Sequence, residues 1–394
     1  MLGVKYVNEM KPRHNLVMIV VLMLLIMACS AESAVPHNNH GTDLYELGAY
    51  ELAIQEFDDA IKLDPDLAVA YSNRGRAHSE LGHYQEALRD LNKAIELNPN
   101  LNAIYGIRGL THHGSGQYEE ALQDFNKAIE LTPNVVELAV LYSNRGLTHL
   151  ELGKYRQALQ DLDKAIELTP NLAKAYNNRG LIYHSIGLYP NHVRGEPKWL
   201  LPLPFQEALE DFKTSIRLDP NSPSVYSNRG NTYNELGLYQ EALEDFNKAI
   251  ELAPKFALAY NSRGQTYHIG FGQTQAALQD FNRAIELDPT LAMAYYHRGA
   301  IHHNLGEYQE ALSDFTNTIN LAPGFALAYG FRGIIYYGYG EYQPALQDFT
   351  KAIELDPALA MAYYNRSLTY RGLGQGALAE QDAKWACDLQ NELC

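Results

Sequence analysis

The stretch AYSNRGRAHSELGHYQEALRDLNKAIELNP, Ala70 to Pro99, decides the fold. Count it so that Pro99 is position 32. Tyr71, Arg74, Gly75 and His78 then occupy positions 4, 7, 8 and 11, the i, i+3, i+4, i+7 stripe of one helix. Ala87, Leu91 and Ala94, at positions 20, 24 and 27, form the stripe of a second helix. Leu81-Gly82 ends the first helix, with glycine just past the last apolar contact. Pro99 blocks continuation of the second. Gly75 sits inside a helix, where glycine costs about 1 kcal/mol. It is therefore expected where a neighbouring helix approaches closely. A helix pair of this kind leaves one apolar face uncovered, so it must stack on another.

Further copies follow in both directions. The closing prolines are Pro65, Pro99, Pro133, Pro170, Pro220, Pro254, Pro289, Pro323 and Pro357, most of them 34 residues apart. A 34-residue period with A-x3-[FL] and a closing Pro resembles the tetratricopeptide repeat (TPR) family over residues 34–393. The resemblance implies an all-α fold, a right-handed α-solenoid of about ten helix-turn-helix repeats. The first unit has His37 in place of Tyr, so a short or frayed opening helix is expected. The last unit, 360–393, has Ser367 for Gly and Asn391 for Pro. It also carries Lys384, Asp388, Gln390 and Glu392, and reads as a degenerate, polar C-terminal cap.

Three insertions interrupt the period. Extra residues within 134–138 are expected to lengthen a junction, and one extra residue falls within 267–272. About sixteen more, near 190–205, carry Pro190, Pro197, Pro202 and Pro204, which argue against a regular helix. Trp199, Leu200, Leu201, Leu203 and Phe205 make that loop apolar. It reads either as a loop folded back on the solenoid or as an exposed lip that docks a partner.

Composition narrows the function. The 394 residues hold 31 Lys and Arg against 47 Asp and Glu, a net charge of −16. That balance argues against a nucleic-acid binder and against a polybasic membrane-surface module. Three cysteines are too few for a disulfide scaffold or a cysteine metal site. Cys387 and Cys394 lie about 10 Å apart on an intact helix, so a bridge between them requires a frayed tail. There is no Gly-rich phosphate loop, no G-x-S-x-G and no H-E-x-x-H. No catalytic residue, metal, cofactor or small-molecule substrate is expected. His78, His112, His149 and His302 occupy position 11 and are expected as core rings with one nitrogen satisfied.

Residues 1–28 form an address. Lys5, Lys11 and Arg13 precede an apolar run from Leu16 to Ala28, about 20 Å of helix and short of a bilayer span. This is the pattern of a secretory signal peptide. Leu25-Ile26-Met27-Ala28-Cys29 resembles the lipobox of bacterial lipoproteins. The resemblance implies cleavage before Cys29, its lipidation, a short tether over 29–33, and anchoring of the exported chain to the bacterial cell membrane or envelope.

Two ladders run through the array. Arg recurs at position 7 from Arg74 to Arg366, and Asp recurs at position 23 in the same nine repeats, from Asp90 to Asp382. Pairing between facing helices is expected, because Arg suits a planar bidentate carboxylate. Asn recurs at position 6, including Asn73, Asn144, Asn178, Asn228 and Asn365. At about 100° per residue, that position lies opposite the buried stripe. They read either as drift among exposed polar residues that solvate the groove or, by resemblance to groove-binding TPR proteins, as amides that hold a peptide backbone. The reading is a non-enzymatic scaffold that binds other proteins or extended segments in its concave groove. A self-assembling architectural protein, or an accessory subunit of an enzyme complex such as a glycosyltransferase, is the alternative.

Overall fold

The computed structural model describes residues 33–188 and 204–390. Among them are twenty helices and no strand. They fall into two compact units, one ending at Leu172 and one beginning at Ala173. The first unit holds α1 (Ala34–Glu46), α2 (Tyr50–Leu63), α3 (Ala68–Glu80), α4 (Tyr84–Leu97), α5 (Asn102–Gly114), α6 (Tyr118–Leu131), α7 (Val135–Glu151) and α8 (Tyr155–Leu168). The second begins with α9 (Ala173–Leu188), α10 (Pro204–Leu218), α11 (Pro223–Glu235), α12 (Tyr239–Leu252), α13 (Ala257–Phe271) and α14 (Thr274–Leu287). It ends with α15 (Ala292–Asn304), α16 (Tyr308–Leu321), α17 (Ala326–Gly338), α18 (Tyr342–Leu355), α19 (Ala360–Gly372) and α20 (Gly376–Leu389). Within each unit, every odd-numbered helix packs on the even-numbered helix that follows, and each pair stacks on the next.

Local chemistry sets these boundaries. After α3, Gly82 takes φ +75°, which glycine adopts without a Cβ clash. Its amide donates to the Ser79 carbonyl, and the next amide, of His83, donates to that of His78. After α4, the Asn98 amide makes the last helical bond, to Ala94, before Pro99 stops the ladder.

The core repeats with the sequence. Ala at position 20 is fully buried in every pair, from Ala53 to Ala379. Phe57, Phe125, Phe212, Phe246, Phe281, Phe315 and Phe349, with Leu91 and Leu162, fill position 24. The helical glycine faces this side chain. A methyl group on Gly109 would meet the Phe125 ring at 2.8 Å, and one on Gly75 would meet Leu91 at 2.9 Å. The glycine is therefore the gap into which the second helix inserts its large side chain.

Three expectations are corrected here. Helix α1 is a full thirteen residues, capped by the Ser33 side chain, and is not shortened by His37. The extra residues near 134–138 lengthen α7 itself, to seventeen residues, and not the junction. Asn134 caps them, its side chain accepting from the amides of Val136 and Glu137. Pro204 does not break a helix but opens α10, where its missing N–H is harmless. Phe205 then packs edge-on against His184.

Gly109→Ala gains about 1 kcal/mol of helix propensity but overpacks against Phe125, which costs about 1–3 kcal/mol. A lowered denaturation midpoint is expected, and a raised one would show that the gap is not filled as described.

A groove across the first helices

The first helices owe their placement to one repeated clamp. In all nine Arg repeats, Nε and Nη2 of the arginine donate to the two carboxylate oxygens of the Asp on the following helix, at 2.6–2.9 Å. The expected ladder is thus present, within each repeat. The Asp carboxylates are nearly buried and the arginines partly so; Asp314 and Arg298 have side chains 3% and 22% exposed. The hydrogen bonds from Arg298 to Asp314 hold the guanidinium pKa above its ordinary value.

The third donor of the clamp reaches the preceding repeat. Arg108 Nη1 donates to Asn92, Arg263 to Asn247 and Arg298 to Asn282, each at 2.6–2.7 Å. One guanidinium therefore ties together three helices. Arg229 is different, because the matching residue on α10 is Lys213, which offers no acceptor and pairs with Glu210. The recurring Tyr at position 4 completes the arrangement. In the nine repeats its ring lies 5.1–5.8 Å from the guanidinium carbon, at cation–π distance.

Position 6 is not the open face that helical geometry suggests. Asn144 and Asn178 are buried, at 5% and 2% exposure. Asn73 donates to Asn38 Oδ1 on α1, and Asn228 donates to Asn177 Oδ1 on α9, both at 3.0 Å. Asn365 donates to the Met361 carbonyl of its own helix. The physical reason is that a first helix touches its own second helix, the second helix of the preceding repeat and the adjacent first helix. Turning about 200° from the contact with its own second helix leads toward the adjacent first helix, and Asn73 and Asn228 bond across that helix–helix seam.

The open groove lies elsewhere. A cavity of about 430 Å³ runs across α9, α11, α13 and α15. Asn231, Asn234 and Glu235 line it from α11, and Asn261, Gln265 and Ile269 from α13. His184 closes it from α9, and Met293 and His297 from α15. Its walls are fixed by hydrogen bonds. The Asn234 amide donates to the Thr266 hydroxyl at 2.9 Å, which in turn donates to the Ser262 carbonyl. The Thr232 hydroxyl donates to the Asn228 carbonyl and accepts from His184 Nδ1 at 3.0 Å. His297 Nδ1 donates to Asn261 Oδ1, also at 3.0 Å. Burial pushes both imidazoles down to about 4, so they are neutral at pH 7. With Nδ1 protonated, each keeps Nε2 as an acceptor.

Position-11 histidines are buried less completely satisfied than expected. His112 and His302 use Nδ1 on Gln117 and Glu307, whereas Nδ1 of His78 and of His149 has no protein partner. Among the described residues, no group of three or more His, Cys, Asp or Glu side chains is placed to hold a metal ion. No helix among them is long and apolar enough to cross a membrane. The expected docking residues Trp199, Leu200, Leu201 and Leu203, the signal segment and Cys29 lie outside the described residues. Cys387 is disulfide-bonded, and Cys394 also lies outside them.

Family models for this architecture match along the chain. A model described as "Tetratricopeptide repeat" matches residues 68–101, 223–256 and 326–359, and a second of that description matches 292–325. A third, "TPR repeat", matches 41–82, 109–153, 146–187, 205–237 and 272–306. The chain belongs to the tetratricopeptide repeat family. Its TPR solenoid is similar to a solved TPR protein from Parabacteroides merdae, with a TM-score of 0.51 and 20% identity over 71% of this chain and 99% of the other. Yeast Tom70 aligns at a TM-score of 0.44 and 19% identity, over 90% of this chain and 85% of that one. YrrB, described as a TPR protein with an unusual peptide-binding site, aligns at 0.34 and 26%, over 52% and 95%. No curated protein sequence matches the chain significantly.

Asp314→Ala leaves Arg298 partly buried without its bidentate partner and is expected to cost about 3–5 kcal/mol in chemical denaturation. Glu251→Ala, which removes only an exposed contact with Lys248, should leave the midpoint unchanged.

The groove histidines generate a pH dependence. Unfolded, each titrates near 6.5, whereas folded they titrate near 4. Between these values the unfolded chain binds the extra protons, so their contribution to stability is complete above about 6.5 and is lost as pH falls toward 4. His297→Gln should lose less thermal stability than the wild type over that window. Identical losses would show that His297 is not held neutral.

Proposed function

We propose that this TPR chain is a non-enzymatic interaction scaffold, held at the cell envelope through lipidated Cys29, that captures an extended partner segment across α9, α11, α13 and α15. The carrying observation is the groove itself. It presents the amides of Asn231 and Gln265 beside two neutral imidazoles, and so offers both donors and acceptors to the main chain of an extended segment. Asn231 and Gln265 stand on adjacent helices at the same repeat position, 9, where α5, α7 and α9 carry Leu110, Leu147 and Leu181. The acidic chain favours a neutral or basic partner at low ionic strength. End-to-end self-assembly finds less support. The acceptor position of the last pair is Lys384 and the first pair has His40 for Arg, so the inter-repeat clamp has no counterpart between copies.

Crosslinking and pull-down from membranes identify the partner, and its affinity for the double variant Asn231→Ala, Gln265→Ala then tests the groove. Each lost hydrogen bond contributes about 0.5–1.5 kcal/mol, so binding should weaken about tenfold. Unchanged affinity would place recognition on another surface. Anchoring is tested separately. Cys29→Ser should release the chain from membranes or leave an unprocessed precursor, and equal partition with equal mobility would contradict it.

A further inference from the structure

A second pocket lies at the turn edge between the pairs α15–α16 and α17–α18. It is a notch of about 310 Å³ lined by His303, Tyr308, Ile334, Tyr337, Gly338 and Tyr339. Roughly 150 Å³ of apolar cavity accommodates a benzene ring, so the notch has room for an aromatic side chain.

Other repeats of the chain show what fills this place. Gly338 is at position 13, near the end of a first helix. Gly114 and Gly372 hold the same position in their repeats. A methyl group on Gly114 would meet the ring of Tyr84 at 3.1 Å, and one on Gly372 would meet Tyr342 at 3.0 Å. Both tyrosines come from position 17 of the preceding repeat, so the glycine makes room for that ring. At Gly338 the corresponding residue is Tyr308, yet a methyl group there would meet nothing within 4 Å. Tyr308 is turned instead toward Tyr339, with ring centroids 6.3 Å apart and planes at 89°. The gap is present and its usual ring is not in it.

The walls are held in place. Gln309 donates to the Tyr339 hydroxyl at 3.2 Å. His303 makes edge-to-face contacts with Tyr308 and Phe331, at 5.7 and 5.8 Å. Tyr308 and Tyr339 are 43% and 44% exposed, so the notch opens to solvent. Two perpendicular rings offer a third ring one face to stack on and one edge to meet. Fixed walls reduce the ordering cost of binding.

We propose that this notch is a binding pocket for one aromatic side chain, tyrosine or phenylalanine, of an extended partner segment. His303 and the groove residue His297 share α15, so one segment can engage both sites. The pocket thus rests on the capture of extended segments argued above, but its test does not pass through the groove.

The probe is N-acetyl-tyrosinamide, titrated at millimolar concentrations into the full-length chain labelled with 15N-glycine. The Gly338 amide is assigned by its loss in Gly338→Leu, and Gly324, which likewise has open space around it, is the control. The Gly338 resonance should shift with saturation while that of Gly324 stays still. Tyr339→Ala, which removes one exposed wall, should raise the Kd at least fivefold. The groove variant Asn231→Ala, Gln265→Ala should leave it unchanged. Failure of the pocket is thereby distinguished from failure of the groove. N-acetyl-leucinamide should bind at least threefold more weakly. A still Gly338 resonance, an unaffected Tyr339→Ala, or leucinamide binding as tightly would overturn the proposal.

Discussion

The arginine clamp is the constraint on which the rest depends. Stacked helix pairs bury small alanines and one large side chain each, and apolar contacts of that kind are weakly directional. A planar guanidinium that donates twice to one carboxylate is directional. Placed at position 7, it fixes the rotation of each first helix against its second. Its remaining donor then fixes the step to the preceding repeat, as in Arg298 to Asn282. The tyrosine at position 4 lies against the same guanidinium, so this recurring ring serves the same geometric purpose. With rotation fixed, positions 9 and 12 of successive first helices face a common groove.

The clamp also shows where the array is tuned. Lys213 replaces the acceptor that Arg229 would reach, and this happens beside the groove's own wall, between α10 and α11. The pairs on either side keep the intra-repeat bonds, so the step there is held by apolar packing and by the seam between Asn228 and Asn177. In the last repeats the character of the first helices changes again, from amides to rings. Tyr296, Phe315, Phe325 and Phe331 form a continuous aromatic cluster behind the notch at Gly338.

Much of this was legible in the sequence because repetition amplifies it. Nine copies of Arg and Asp at corresponding repeat positions point to a shared structural role, and the bidentate pairs follow. The glycine at position 8 was legible for the same reason. The groove was not, and the cause is physical. Recurrence marks what every repeat needs for packing, and Asn73 and Asn228 recur where they bond across a seam between helices. A binding surface consists of positions that packing leaves free to differ, such as Asn231 and Gln265 standing where Leu147 and Leu181 stand elsewhere. Local insertions hide their structure in a similar way. Pro204 reads as a breaker in the sequence because its place at the first turn of a helix depends on where α10 begins.

The central claim is that the face formed by α9, α11, α13 and α15 meets the partner. Site-specific photo-crosslinking in living cells tests it most directly. A photoreactive residue at Gln265 in the groove is expected to capture a discrete adduct. The same residue at Glu251, exposed on α12, is expected to capture none. The reverse pattern, with adducts from Glu251 and none from Gln265, would contradict the claim.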